Sequence, residues 1–125
     1  MILVDTSVWV DHLAIGDPRM ASLLQGERVV VHPFVIGEIA CGNLSDRAEI
    51  MHLLGTLPAI APARHDEVLA LLDAHRLWGR GIGWVDVHLL AAAAIAGTAL
   101  WTRDQRLAAA ARGIVSLHNP GSPPN

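Results

Sequence analysis

Met1-Ile2-Leu3-Val4-Asp5-Thr6-Ser7-Val8-Trp9 opens the chain, and its reading decides the fold. A short apolar run that ends in an acid and then Thr-Ser reads as a buried strand of the parallel type, giving way to a helix at Ser7. Asp5 then stands at a strand's carboxyl end. The same alternation continues outward. The helix from Ser7 runs to about Ala14, Gly16-Asp17-Pro18 breaks it, and a second helix runs to Gln25, where Gly26 ends it. Val29-Val30-Val31 is a second buried strand, and Pro33 suits the first turn of a helix that carries Glu38 and stops at Gly42-Asn43. Ser45 caps a helix to about Leu54, and Leu57 to Ala61 reads as a short strand. Asp66 to about Trp78 repeats apolar residues at helical spacing, after which Gly79-Arg80-Gly81-Ile82-Gly83 forms a loop. Trp84 to Ala96 is a strongly apolar helix ended by Gly97. Thr98 to Thr102 is a strand, Asp104 to Arg112 a helix, and Ile114 to Leu117 a last strand.

Strands alternating with helices, with no internal repeat or linker, imply one α/β domain over residues 1–118, its central sheet mainly parallel and helices on both faces. Residues 119–125, rich in Pro and Gly, are expected to be a disordered tail. A length of 125 residues, 52% of them hydrophobic, suffices for one sizeable core. No apolar stretch is long enough for a membrane span, and Met1 leads into the first strand with no signal-peptide pattern, so the expected address is the cytoplasm. The lone Cys41 can form no internal disulfide and reads as core filler. The net charge is −3, and all nine basic residues are arginine. Any contact with nucleic-acid phosphate must therefore be local, with Arg103 and Arg106, and Arg76 and Arg80, as the available clusters.

Open parallel sheets place their sites beyond the carboxyl ends of strands, where Asp5 and Asp104 fall. Glu38 and Asp86 are embedded in Phe34-Val35-Ile36-Gly37-Glu38-Ile39-Ala40 and Trp84-Val85-Asp86-Val87-His88-Leu89-Leu90-Ala91, surroundings that predict burial. A buried, unpaired carboxylate is expensive, so an arginine, a proton or a bound cation must compensate it. Singly, each acid reads equally well as a helix cap or an arginine partner. Together the four favour a cation. Oxygen ligands without cysteine suit Mg²⁺ or Mn²⁺, as one ion or two, and such an ion takes further ligands from substrate phosphates. The implied chemistry is hydrolysis of a phosphodiester by a metal-activated water.

Four segments carry a resemblance that covers nearly the whole chain: Val4-Asp5-Thr6-Ser7-Val8-Trp9, Gly37-Glu38-Ile39, the run Gly81 to Ala92, and Leu100-Trp101-Thr102-Arg103-Asp104-Gln105-Arg106-Leu107. They resemble the PIN-domain nucleases and, within them, the VapC toxins of bacterial toxin-antitoxin pairs. The resemblance implies a PIN-like three-layer α/β/α fold and Mg²⁺- or Mn²⁺-dependent cleavage of RNA, often tRNA or ribosomal RNA. It further implies inhibition by a cognate VapB-like antitoxin, and homodimerisation. It maps the catalytic, metal-holding acids onto Asp5, Glu38, Asp86 and Asp104, with Thr6 or Ser7 and Thr102 as polar supports that orient ligands or water. Arg103, set between Thr102 and Asp104, departs from the family pattern.

Other features read more plainly. The seven histidines are scattered, which disfavours a His-pair ribonuclease. Gly81 and Gly83 lack the third glycine of a dinucleotide fingerprint and suit a tight turn before a helix. The alanines from Ala91 to Ala94 and Trp101 read as packing, or as a dimer interface. A phosphoacceptor aspartate at Asp5 would need a lysine, and the chain has none. The non-enzymatic alternative is a degenerate PIN fold that only binds RNA or protein.

Overall fold

A computed structural model describes residues 1–120. Its sheet is built around the opening run. Strand β1 (Ile2–Val4) lies between β2 (Val29–Val30) and β3 (Ala99–Trp101), and both pairings are parallel. Ile2 sits opposite Val29 and Ala99, and Leu3 opposite Val30 and Leu100. Every residue of β1 is buried, so both faces of the central strand are covered, as the sequence predicts for a three-layer α/β/α arrangement.

Seven helices complete the described residues: α1 (Thr6–Ile15), α2 (Pro18–Gln25), α3 (Pro33–Ala40), α4 (Arg47–Thr56), α5 (His65–Ala74), α6 (Trp84–Ala96) and α7 (Gln105–Ala111). Local chemistry sets most of their ends. Asp17 caps α2 by accepting from the Arg19 and Met20 N–H groups at 2.9 and 3.3 Å, with Pro18 in the first turn. Gly97, at φ +69°, closes α6 in the left-handed conformation that glycine tolerates.

The structure departs from the sequence reading at four places in the fold. Leu57 to Ala61 is no strand but a single parallel bridge, Val31 to Ala59. Pro58 has no N–H and gives the sheet only its carbonyl, which accepts from Val31 N–H at 2.9 Å. Ile114 to Leu117 likewise reduces to one bridge, Leu100 to Leu117, because only Leu100 of β3 exchanges bonds with it, through Ser116 O and His118 N–H. Helix α5 stops at Ala74, short of Trp78, because Arg76 turns to φ +52° and Leu77 folds back to donate to Leu72 O at 3.0 Å. Helix α4 begins after Asp46, at φ +52°, so Ser45 does not cap it.

The core joins β1 and β3 to Val8, Trp9, Leu89, Leu90, Ala91 to Ala93 and Leu107. Trp101 is buried in it, as expected of a packing residue, but Cys41 is exposed at the end of α3 and fills no core. No helix among the described residues is long and apolar enough to cross a membrane. Of the tail expected to be disordered, residues 121–125 lie outside the described residues.

Candidate active site

Asp5 leaves the end of β1 and begins α1, so the strand's direction delivers its carboxylate to the sheet's carboxyl edge. It is 6% exposed. Burying a carboxylate there is made tolerable by hydroxyl donors: Ser7 Oγ and Thr102 Oγ1 each donate to Asp5 Oδ2 at 2.8 Å. Thr102 follows β3 directly, and its hydroxyl also accepts from the Asp104 N–H at 3.0 Å, while Ser7 Oγ accepts from the Arg103 N–H at 3.0 Å. The ends of the two adjacent strands are thus stitched around one acid.

Glu38 approaches from α3, and Thr6 Oγ1 donates to its Oε1 at 2.8 Å. It is exposed, contrary to the expectation from its apolar neighbours: α3 turns Val35 and Ile39 to the core and leaves Glu38 on the solvent side. Asp86 lies in the first turn of α6, half-buried, and its Oδ2 accepts from the Gly83 N–H at 2.9 Å. Burial pushes the Asp86 carboxyl above its ordinary value, and the charges of Asp5, Asp104 and Glu38 push the same way against the opposing Gly83 hydrogen bond. Asp86 thus feels the charge of each of the other three sequence-derived acids. Asp104 caps α7, accepting from the Arg106 and Leu107 N–H groups at 2.9 and 3.3 Å through one oxygen, Oδ1.

Among the described residues none of these four acids is ion-paired; the salt bridges involve Arg64 with Asp66 and Glu67, and Arg103 with Asp11 and Asp17. The starts of α1, α6 and α7 bring positive helix ends toward Asp5, Asp86 and Asp104 instead. An all-oxygen donor set with uncompensated negative charge fits a hard divalent cation in kind. The fit stops short of a closed shell: among the described residues no three His, Cys, Asp or Glu side chains converge closely enough to hold one ion. The carboxylates are held by hydroxyl and backbone donors.

The two arginines assigned to phosphate stand differently. The Arg103 guanidinium donates to Asp11 Oδ2 at 2.7 Å and also to Asp17, and packs 5.6 Å from the Trp101 ring centre. It is a clamp between β3 and the α1–α2 turn. Arg106 has no ion pair among the described residues and lies across the backbone of Gly81, where a Cβ would stand 2.8 Å from Arg106 Cδ. Gly81 has φ +79°, so the turn and the close approach both call for glycine. The Asp11 and Asp17 contacts escaped sequence reading, because nothing local pairs residues more than 80 positions apart. Of the histidines, His32 and His88 are buried beside Phe34, and burial together with the neighbouring His88 pushes the His32 imidazole down to about 4.

The PIN domain family matches residues 2–113. Ribonuclease VapC32 of Mycobacterium tuberculosis, in strains CDC 1551 / Oshkosh and ATCC 25618 / H37Rv alike, is 50% identical over 111 residues, which is 88% of this chain and 90% of that protein. FitAcB from Neisseria gonorrhoeae superposes with a TM-score of 0.64 at 22% identity, over 96% of this chain and 98% of that one. FitAB bound to an IR36 DNA fragment gives 0.65 at 20% identity over 100% and 99%, and PAE2754 from Pyrobaculum aerophilum 0.65 at 20% over 93% and 88%. The chain belongs to the PIN-domain family. Within that family it falls in the VapC group, on the strength of the half-identical mycobacterial relative.

Proposed function

We propose that this protein is an endoribonuclease that works with Mg²⁺ or Mn²⁺ as the toxin of a cytoplasmic toxin-antitoxin pair. Asp5, Glu38, Asp86 and Asp104 would hold one ion or two. The observation that carries this reading is a half-buried Asp86 that feels the charges of Asp5, Asp104 and Glu38, with none of the four acids paired to an arginine among the described residues. When bound, the cation supplies Lewis acidity at the scissile phosphate and lowers the pKa of the water that attacks it. The protein's own residues do the positioning. Ser7 and Thr102 fix Asp5 by two bonds, Thr6 orients Glu38, and the Gly83 N–H orients Asp86. Arg106, with no acid partner among the described residues, holds a substrate phosphate, whereas Arg103 acts through structure. Membership of the VapC group supports a VapB-like antitoxin as partner, and the reading extends to homodimerisation and to tRNA or ribosomal RNA as substrate. The name of the mycobacterial relative, a ribonuclease, supports the activity.

Purified protein should cleave RNA in Mg²⁺ or Mn²⁺, stop in EDTA, and lose activity when a VapB-like antitoxin is co-expressed. RNA bound but never cleaved under any divalent cation would favour the non-catalytic PIN module instead.

A further inference from the structure

The segment between α5 and α6, residues 75–83, is fixed at both ends and presents its middle to solvent. Leu77, 2% exposed, anchors one end in the core, and Gly83 anchors the other through its bond to Asp86. Gly81, between them, is exposed and has the Arg106 side chain against its backbone. Trp78 is 60% exposed. The chain's other tryptophans have partners: Trp9 is buried, Trp84, though partly exposed, packs edge-on against His88 and at a tilt against His65, and Trp101 is buried against His118 and Arg103. Among the described residues Trp78 has no aromatic or cationic partner, so a large apolar ring is left facing water. Arg76 and Arg80 flank it, both exposed and neither ion-paired among the described residues.

We propose that residues 75–83 form a nucleobase-stacking platform, in which Trp78 takes the face of one unpaired RNA base while Arg76 and Arg80 contact the phosphates on either side. The inference rests on the ribonuclease reading above. An exposed indole between arginines matches the way single strands are held, aromatic faces for bases and cations for the backbone. A duplex offers no free base face. The segment is tied to the acids at its far end, where the Gly83 N–H donates to Asp86.

The test uses a short unpaired oligoribonucleotide and the same strand annealed to its complement. Dissociation constants are measured by fluorescence anisotropy with Asp86→Asn protein, which binds without cutting, and KM and kcat with otherwise wild-type protein. Trp78→Ala should raise Kd and KM for the unpaired strand at least about fivefold and leave kcat unchanged. Trp78→Phe should restore most of the affinity, and the annealed strand should bind weakly and ignore both changes. An unchanged Kd, or an equal loss on the annealed strand, overturns the platform. So does a loss that tracks a fall in molar mass by light scattering, which would assign Trp78 to a contact between copies. RNA cleavage with a silent Trp78→Ala would sink the platform and spare the nuclease reading. Trp78-dependent binding by a protein that cuts nothing would do the reverse.

Discussion

Replacing Gly81 by alanine perturbs two things that the structure keeps separable. The residue sits at φ +79°, where an L side chain costs about 1–2 kcal/mol. The new Cβ would also lie 2.8 Å from Arg106 Cδ and 3.0 Å from its Nη1, so the arginine must move. The three atoms nearest that Cβ all belong to the flexible Arg106 side chain, so the stability loss should come mainly from the backbone. For a chain of this size 1–2 kcal/mol lowers the melting temperature by roughly 3 to 10 °C. Displacing Arg106 should weaken RNA binding and reduce the slope of log K against log salt by about 0.7, the share of one phosphate contact on a single strand. Thermal melts read the first effect, and anisotropy titrations over a salt series read the second. Arg106→Ala should reproduce the second without the first, and the double variant should bind no worse than Arg106→Ala alone. A Gly81→Ala protein that is destabilised yet binds with full affinity and slope would refute the role given to Arg106.

The other predictions concern groups around the site. Arg103→Ala should cost about 1–2 kcal/mol through the lost Asp11 and Asp17 bridges and the Trp101 contact, with the salt slope of RNA binding unchanged, which melts and titrations check together. His32 is held down to about 4 in the fold against 6.5 ordinarily, so its contribution is complete above pH 6.5 and is lost as pH falls toward 4. Between pH 7 and pH 5 the loss should be about 2 kcal/mol by urea titration, and His32→Asn, which keeps an acceptor for the Phe34 N–H, should flatten it. Asp86 has the opposite sign: a carboxyl raised in the fold contributes stability that is lost as pH rises through its folded pKa. Metal-free Asp86→Asn should therefore melt no lower than wild type at neutral pH. Mg²⁺ at 100 times its Kd should stabilise wild type by roughly 2.7 kcal/mol and the variant by less.

The opening run was legible because a buried parallel strand is apolar on both faces and Asp5 marks where it ends. Helix α6 was legible because thirteen residues of apolar periodicity end at Gly97. The strands expected at 57–61 and 114–117 dwindled to bridges, since a short apolar run states burial but not how much of its backbone finds a partner. Glu38 and Cys41 were misjudged for a related reason. Apolar neighbours in sequence do not tell which side of α3 faces the core, and both residues turned out exposed. Histidines read only as scattered surface or core residues include the buried pair His32 and His88. Arg103 shows the deepest limit, because its acid partners come from α1 and the turn after it, and only the folded chain brings them together.

The central claim, that the carboxylates hold a catalytic cation, is tested most directly by the Mg²⁺-dependent RNA cleavage rate of Asp86→Asn beside wild type. Circular dichroism should show both folded. The account predicts that wild type cleaves in Mg²⁺ and is silent in EDTA, and that the folded variant is silent in both. Cleavage by Asp86→Asn at the wild-type rate, or by wild type at the same rate in EDTA, would contradict it.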